Sequence, residues 1–153
     1  MSTAALLLDY LFCRELIKAR LSSQVAMLAD EGSVVGIEQF TQAVDRTISA
    51  PTAFVLWEGD TFDTGPNGQA LHGAAQIVVQ SWTVLLAVRN ADQFNADARH
   101  ESAGPLLSDI HKALAGWVPS GLTRSMRRLQ GRRPSYQPNR ALYPLTFGIS
   151  LHL

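Results

Sequence analysis

Gln76-Ile77-Val78-Val79-Gln80-Ser81-Trp82-Thr83-Val84-Leu85-Leu86-Ala87-Val88-Arg89 is the longest strand-like stretch in the chain. Trp82, Val84, Leu86 and Val88 fall on one side of an extended backbone, and Ser81, Thr83, Leu85 and Ala87 fall on the other. Gln80 breaks the apolar side, which predicts a β-bulge near that point. Upstream, Thr52 to Trp57 is a second run of β-branched and aromatic residues, and the two runs together predict a hairpin. Between them lies Glu58-Gly59-Asp60-Thr61-Phe62-Asp63-Thr64-Gly65-Pro66-Asn67-Gly68, whose glycines, proline and Asx residues predict a long, turn-rich loop.

Working outward, Leu145, Phe147, Ile149, Leu151 and Leu153 alternate with Thr146, Gly148, Ser150 and His152, the pattern of a half-buried strand. Ala103, Leu107, Ile110, Leu114 and Trp117 recur at helical spacing after the polar segment Asn90 to His100, and Gly116 and Pro119 close that helix. Pro105 is expected in its first turn or at a kink, because a deeper proline removes a backbone hydrogen bond. Leu8, Phe12, Leu16 and Ala19, flanked by Cys13 and Ile17, predict an amphipathic helix over the first twenty residues. Ile37, Phe40, Val44 and Ile48 predict another, stopped by Pro51. Gln24 to Leu28 reads as a short strand before the turn Asp30-Glu31-Gly32-Ser33, and Leu122 to Leu129 as a strand with outward arginines. This order predicts one α+β domain over residues 1–153, a mostly antiparallel sheet with about three helices packed on one face. The other face, bearing Ser81, Thr83, Thr146 and Ser150, is expected to meet water or a partner.

A chain of 153 residues that is 46% apolar is long enough for one sizeable core and too short for two ordinary domains. The single cysteine, Cys13, excludes an internal disulfide and any CxxC site, and its place on an apolar helix stripe predicts a buried, inert thiol. Met1 to Phe12 lacks a basic leading region and is followed closely by Arg14 and Glu15, so no export signal is expected. Gly73 to Val88, the longest uncharged central stretch, falls short of the roughly 20 apolar residues a membrane helix needs, so a soluble protein with no membrane partner is expected.

The formal charge of zero conceals an asymmetry. All 13 carboxylates precede residue 110 and share that region with six cations, a balance of −7. The rest holds seven cations and no acid: Lys112, Arg124, Arg127, Arg128, Arg132, Arg133 and Arg140. Five of these arginines fall within ten residues, interleaved with Met126 and Leu129 and followed by Tyr136. Clustered arginine suits bidentate contact with phosphate, and it is also enriched at protein interfaces where lysine is depleted. A solvated charged face would more naturally use lysine mixed with acids.

Other chemistry is sparse. His72, His100, His111 and His152 show neither the i, i+4 nor the i, i+2 spacing that places two imidazoles on one metal. His100 lies near Asp97 and Glu101, and Glu58, Asp60 and Asp63 form an acidic group, but the latter lacks the ligand register of an EF-hand loop. Solvated loop charge accounts for both, and no metal or cofactor is expected. The chain has no GxGxxG, no GxxxxGK[ST] and no GxSxG, and nothing nominates a nucleophile, so no enzymatic role is read from it.

Three stretches taken together resemble the tail terminator proteins of long-tailed phages, also called tail completion or minor tail proteins. They are Gln80 to Asn90, Ala103-Gly104-Pro105-Leu106-Leu107 through Leu114-Ala115-Gly116-Trp117, and Arg133-Pro134-Ser135-Tyr136 through Tyr143-Pro144-Leu145-Thr146-Phe147. The similarity covers roughly residues 37 to 153 and includes no catalytic signature. It implies a structural subunit of a homo-oligomeric ring, commonly a hexamer. Such a ring caps the head-proximal end of the tail tube, stops tube polymerisation, and gives the docking surface for the head completion or connector protein. It further implies a place at the head-tail junction of the virion, assembly in the bacterial cytoplasm, and a lumen through which DNA passes without specific binding. On that resemblance Arg124, Arg127, Arg128, Arg132 and Arg133 are expected at a subunit interface, since a negative body and a positive segment can pack head to tail. Glu58, Asp60 and Asp63 are expected on a tube-facing or lumen-facing loop. The alternatives are a nucleic-acid-binding module, with the Arg124 to Arg133 segment on phosphate and Tyr136 stacking on a base, and a neighbouring head-to-tail connector protein.

Overall fold

A computed structural model describes residues 9–48, 50–63, 77–89 and 96–152. In chain order the elements are α1 (Cys13–Gln24), a 3-10 turn (Ala26–Leu28), β1 (Val34–Ile37), α2 (Phe40–Asp45), β2 (Thr52–Asp63) and β3 (Ile77–Arg89), then α3 (Ala96–Leu114), β4 (Arg127–Leu129), β5 (Ser135–Tyr136) and β6 (Arg140–His152). The six strands form one sheet in the order β1-β2-β3-β6-β4, with β5 also on the outer edge of β6. Every pair is antiparallel except β1 with β2, so the class is α+β as the sequence predicts.

The two strands with the strongest alternation form the centre: every residue of β3 pairs with a residue of β6. Alternation gives each strand two faces. On the first, Trp82, Val84, Leu86 and Val88 meet Leu145, Phe147, Ile149 and Leu151, covered by Cys13, Ile17 and Leu21 of α1 and by Ala103, Leu106, Ile110 and Leu114 of α3. Fully burying each large side chain here contributes roughly 1.5–3 kcal/mol, so this face dominates the stability of the fold. On the second face, Phe54, Leu56, Leu85, Ala87 and Leu142 are buried under Ala43 of α2, with Ile37, Phe40, Val44 and Ile48 packed at the margin. The helices therefore lie on both faces, two on the first and α2 on the second, where the sequence predicts all on one.

Several local expectations change for identifiable reasons. Burial along α1 follows Cys13, Ile17 and Leu21, while Leu16 is half-buried and Ala19 exposed, so the apolar stripe sits one residue later than predicted; residues 1–8 lie outside the described part. Gln24 to Leu28 is the end of α1 and a 3-10 turn that buries Leu28, not a strand. Ile37, Phe40, Val44 and Ile48 do converge on one cluster, but only Phe40 and Val44 are helical. Ile37 belongs to β1, because Gln39 and Gln42 form a capping box that starts the helix after it. α3 begins at Ala96, inside the segment read as a polar loop, so Pro105 lies within the helix. Pro105 and Glu101, whose carbonyl loses its helical partner, are both exposed, and water can replace the missing bond. The strand read over Leu122 to Leu129 is confined to Arg127–Leu129.

The predicted loop after Trp57 is instead strand as far as Asp63, with the rest of it, residues 64–68, outside the described part. The predicted bulge falls on the partner strand: Trp57 opposes Trp82 and Gly59 opposes Ser81, leaving Glu58 as the extra residue. Gly59 takes φ +103°, a backbone region that glycine enters without strain. β3 stays regular at Gln80 because that side chain is satisfied, donating from Nε2 to the Tyr10 carbonyl at 3.0 Å and accepting from Trp82 Nε1 at 3.2 Å.

Candidate functional site

The bulge decides where the acidic residues go. In an unbroken strand Trp57 and Asp60 would point to opposite faces; the extra residue puts both on the first. There Asp60 accepts from Trp57 Nε1 at 3.1 Å and from Tyr10 Oη at 2.5 Å, and the Tyr10 and Trp57 rings meet edge to face at 6.3 Å. Burial, and then the hydrogen bond to Asp60, raise the Tyr10 hydroxyl above its ordinary value of 10.0. Glu58 serves the second face instead. Its carboxylate receives Arg132 Nε at 2.6 Å and Nη2 at 3.2 Å, a two-pronged pair in which Glu58 is 22% exposed and Arg132 44%. The hydrogen bond to Glu58 raises the Arg132 guanidinium above its usual value. The two predicted groups, the arginine segment and the acidic residues, thus meet within one chain at Arg132 and Glu58. The side chain of Asp63 lies outside the described part.

Arg132 reaches Glu58 because the chain from β4 to β5 runs as a strap across the second face. β4 pairs with residues 146–148 of β6 and β5 with residues 141–142, and the gap between them lies opposite Pro144, which has no N–H to donate. In that gap Gly131 packs on β6 so closely that a Cβ there would stand 1.9 Å from Thr146 Oγ1. Beneath it Thr146 shares a buried 2.8 Å hydrogen bond with Thr83. The Arg132 guanidinium then lies over the Phe40 ring of α2, 5.2 Å from its centroid. The face expected to meet water or a partner is therefore closed at Thr83 and Thr146, which are buried by the chain's own arginine segment.

The other arginines stay outward. Arg124, Arg127, Arg128 and Arg133 are exposed, and none has a carboxylate within ion-pair distance among the described residues. Arg128 lies 5.9 Å from the centroid of Phe147. Tyr136, half exposed, packs edge to face on Tyr143 at 5.9 Å and near His100 Nε2, so it belongs to an aromatic cluster rather than standing free. His72 lies outside the described part, and His100 and His111 sit apart on α3. Cys13 is fully buried, and burial, followed by the charge of Asp9, pushes its thiol up to about 12, the inert state expected of it. Among the described residues no three of His, Cys, Asp and Glu group as metal ligands, and no helix is long and apolar enough to cross a membrane.

Sequence reasoning missed Arg140. At 4% exposure it is the most deeply buried charge described, and it donates from Nη1 to the Ala43 carbonyl at 2.9 Å, in the last turn of α2. The signal available was its position at the head of an apolar run, where a charge has to be tied down.

The fold is α+β, with charged groups that clamp its own sheet at Arg132 and Glu58 or lie on an exposed edge strand at Arg127 and Arg128. The family model described as Phage tail terminator protein matches residues 7–153, and the chain belongs to that family of structural phage tail proteins. The match reaches back through α1, beyond the stretch over which the sequence carried the resemblance. A comparison with curated proteins found no match.

Proposed function

We propose that this protein forms a homo-oligomeric ring, commonly a hexamer in its family, that caps the head-proximal end of the tail tube. The ring ends tube polymerisation and presents its other side to the head completion or connector protein, at the head-tail junction. It assembles in the host cytoplasm, and DNA passes through its lumen without specific binding. The family match carries this reading.

The surfaces divide as follows in the proposal. Arg127 and Arg128 on the edge strand β4, with Arg124 before it and Arg133 after it, meet a neighbouring subunit, while Arg132 holds the strap that presents them. The Glu58, Asp60 and Asp63 end of β2 faces the tube or the channel. Trp57 and Phe62 are 38% and 55% exposed there, apolar area suited to a protein contact.

Negative-stain images of the purified protein mixed with tail tubes test the central claim. Caps at one end of each tube are expected, and bare ends at high protein concentration would sink it. Native mass measurement of R127E/R128E tests the lateral role; an unchanged ring removes those arginines from the subunit interface.

A further inference from the structure

Arg140 and Arg89 are directly opposed where β6 and β3 end, and both point to the second face. Like charges in that position repel, and among the described residues neither forms an ion pair, while the buried Nε of Arg140 has no hydrogen-bond partner. Both line an open cleft of about 610 Å³, together with Asn139, Asp45 at the end of α2, and Thr47 just beyond it. Two guanidinium groups against the one carboxylate of Asp45 leave the cleft lining with a net charge of +1, which matches one further anion.

We propose that this cleft docks a carboxylate side chain from a second copy of the chain. The proposal rests on the ring reading. A single carboxylate suits the site better than nucleic-acid phosphate, because one charge balances the net +1 of the lining whereas successive phosphates would also have to pass Asp45, and because Arg140 is held too deep to follow a backbone groove. A second copy supplies the acid: Asp30, Glu31, Glu38, Glu101 and Asp109 are exposed and take part in none of the described ion pairs. Asp30 and Glu31 share an adjoining cavity of about 300 Å³ with Arg46, whereas Glu101 and Asp109 lie on α3, across the sheet from the cleft, the separation of acid and base that a head-to-tail contact needs.

The test uses Arg89→Glu, which changes an exposed strand end and leaves the buried Arg140 in place. Sedimentation of wild type and variant, with and without tail tubes, gives the concentration at half assembly. The variant is expected to need at least about tenfold more protein, a loss of one order in association constant. Adding Lys at one of the five exposed acids to the same chain is expected to restore assembly. A variant that assembles like the wild type, or a loss that none of the five reversals repairs, overturns the carboxylate partner while leaving the ring reading intact. Wild-type protein that never self-associates, alone or on tubes, overturns both. Weaker binding of R89E to duplex DNA in a gel shift assigns the cleft to phosphate and overturns the proposal.

Discussion

The two faces of the sheet are held by different physics. The first is a continuous apolar layer in which α1, α3, β3 and β6 contribute Ile17, Leu21, Ile110, Trp82 and Phe147, each nearly or fully buried. The second has a small apolar cluster under α2 and is otherwise closed by a few directed contacts: Thr83 with Thr146, Gly131 on Thr146, Arg132 with Glu58 and Phe40, and Arg140 with Ala43. Burial on the first face is non-directional and spread over many residues, so it fixes the fold. Contacts on the second depend on single atoms, so they fix the position of one segment, and that segment carries the exposed arginines.

The sharpest way to break this contrast is Trp82→Ala. Trp82 is 1% exposed at the middle of the first face, and its loss is expected to cost about 3–5 kcal/mol. A urea midpoint that barely moves would mean that the first face does not dominate.

Cys13 probes the same face without removing an atom. Its thiol has an ordinary value of 9.0 and is pushed up to about 12 in the fold, so the folded state favours the protonated form. The stabilisation is complete below pH 9 and is lost as pH rises from 9 towards 12, at about 1.4 kcal/mol per unit. Tyr10, also raised, acts in the same direction above 10. Unfolding midpoints on both sides of pH 9 check this, and Cys13→Val should flatten the decline.

How much could be read beforehand follows the same division. β3 and β6 are legible because alternation is local and both faces reward it. The convergence of Ile37, Phe40, Val44 and Ile48 was legible as well, but their spacing is equally that of a strand, a turn and one short helix. Gln80 marked the bulge on the wrong strand because its partners, Tyr10 and Trp82, satisfy it where it stands. The acidic group read as one loop feature is divided between two faces by a single extra residue, Glu58. The link from Arg132 to Glu58 spans 74 residues, and no local pattern encodes it.

On the second face Gly131→Ala should act locally. The added Cβ would stand 1.9 Å from an oxygen whose own hydrogen bond to Thr83 keeps it from moving, so the strap must lift. About 2 kcal/mol of destabilisation is expected. Hydrogen exchange should rise over residues 127–136 and stay unchanged in β3; exchange that rises equally in both would erase the distinction between the faces.

The smallest effect belongs to Arg132→Ala, and it separates position from stability. The pair with Glu58 is partly exposed, so screening by solvent limits it to about 0.5–1 kcal/mol even with two-pronged geometry. The contact with the Phe40 ring adds a comparable share that salt does not screen. A double-mutant cycle with Glu58→Gln should therefore recover less than the whole loss, and one with Phe40→Leu should recover part of the remainder. If Arg132 positions the strap, R132A should weaken the proposed ring more than it lowers the unfolding midpoint, because Arg127, Arg128 and Arg133 lose a fixed presentation while the first face stays intact. Equal losses in both measurements would make Arg132 a stability contact and nothing more.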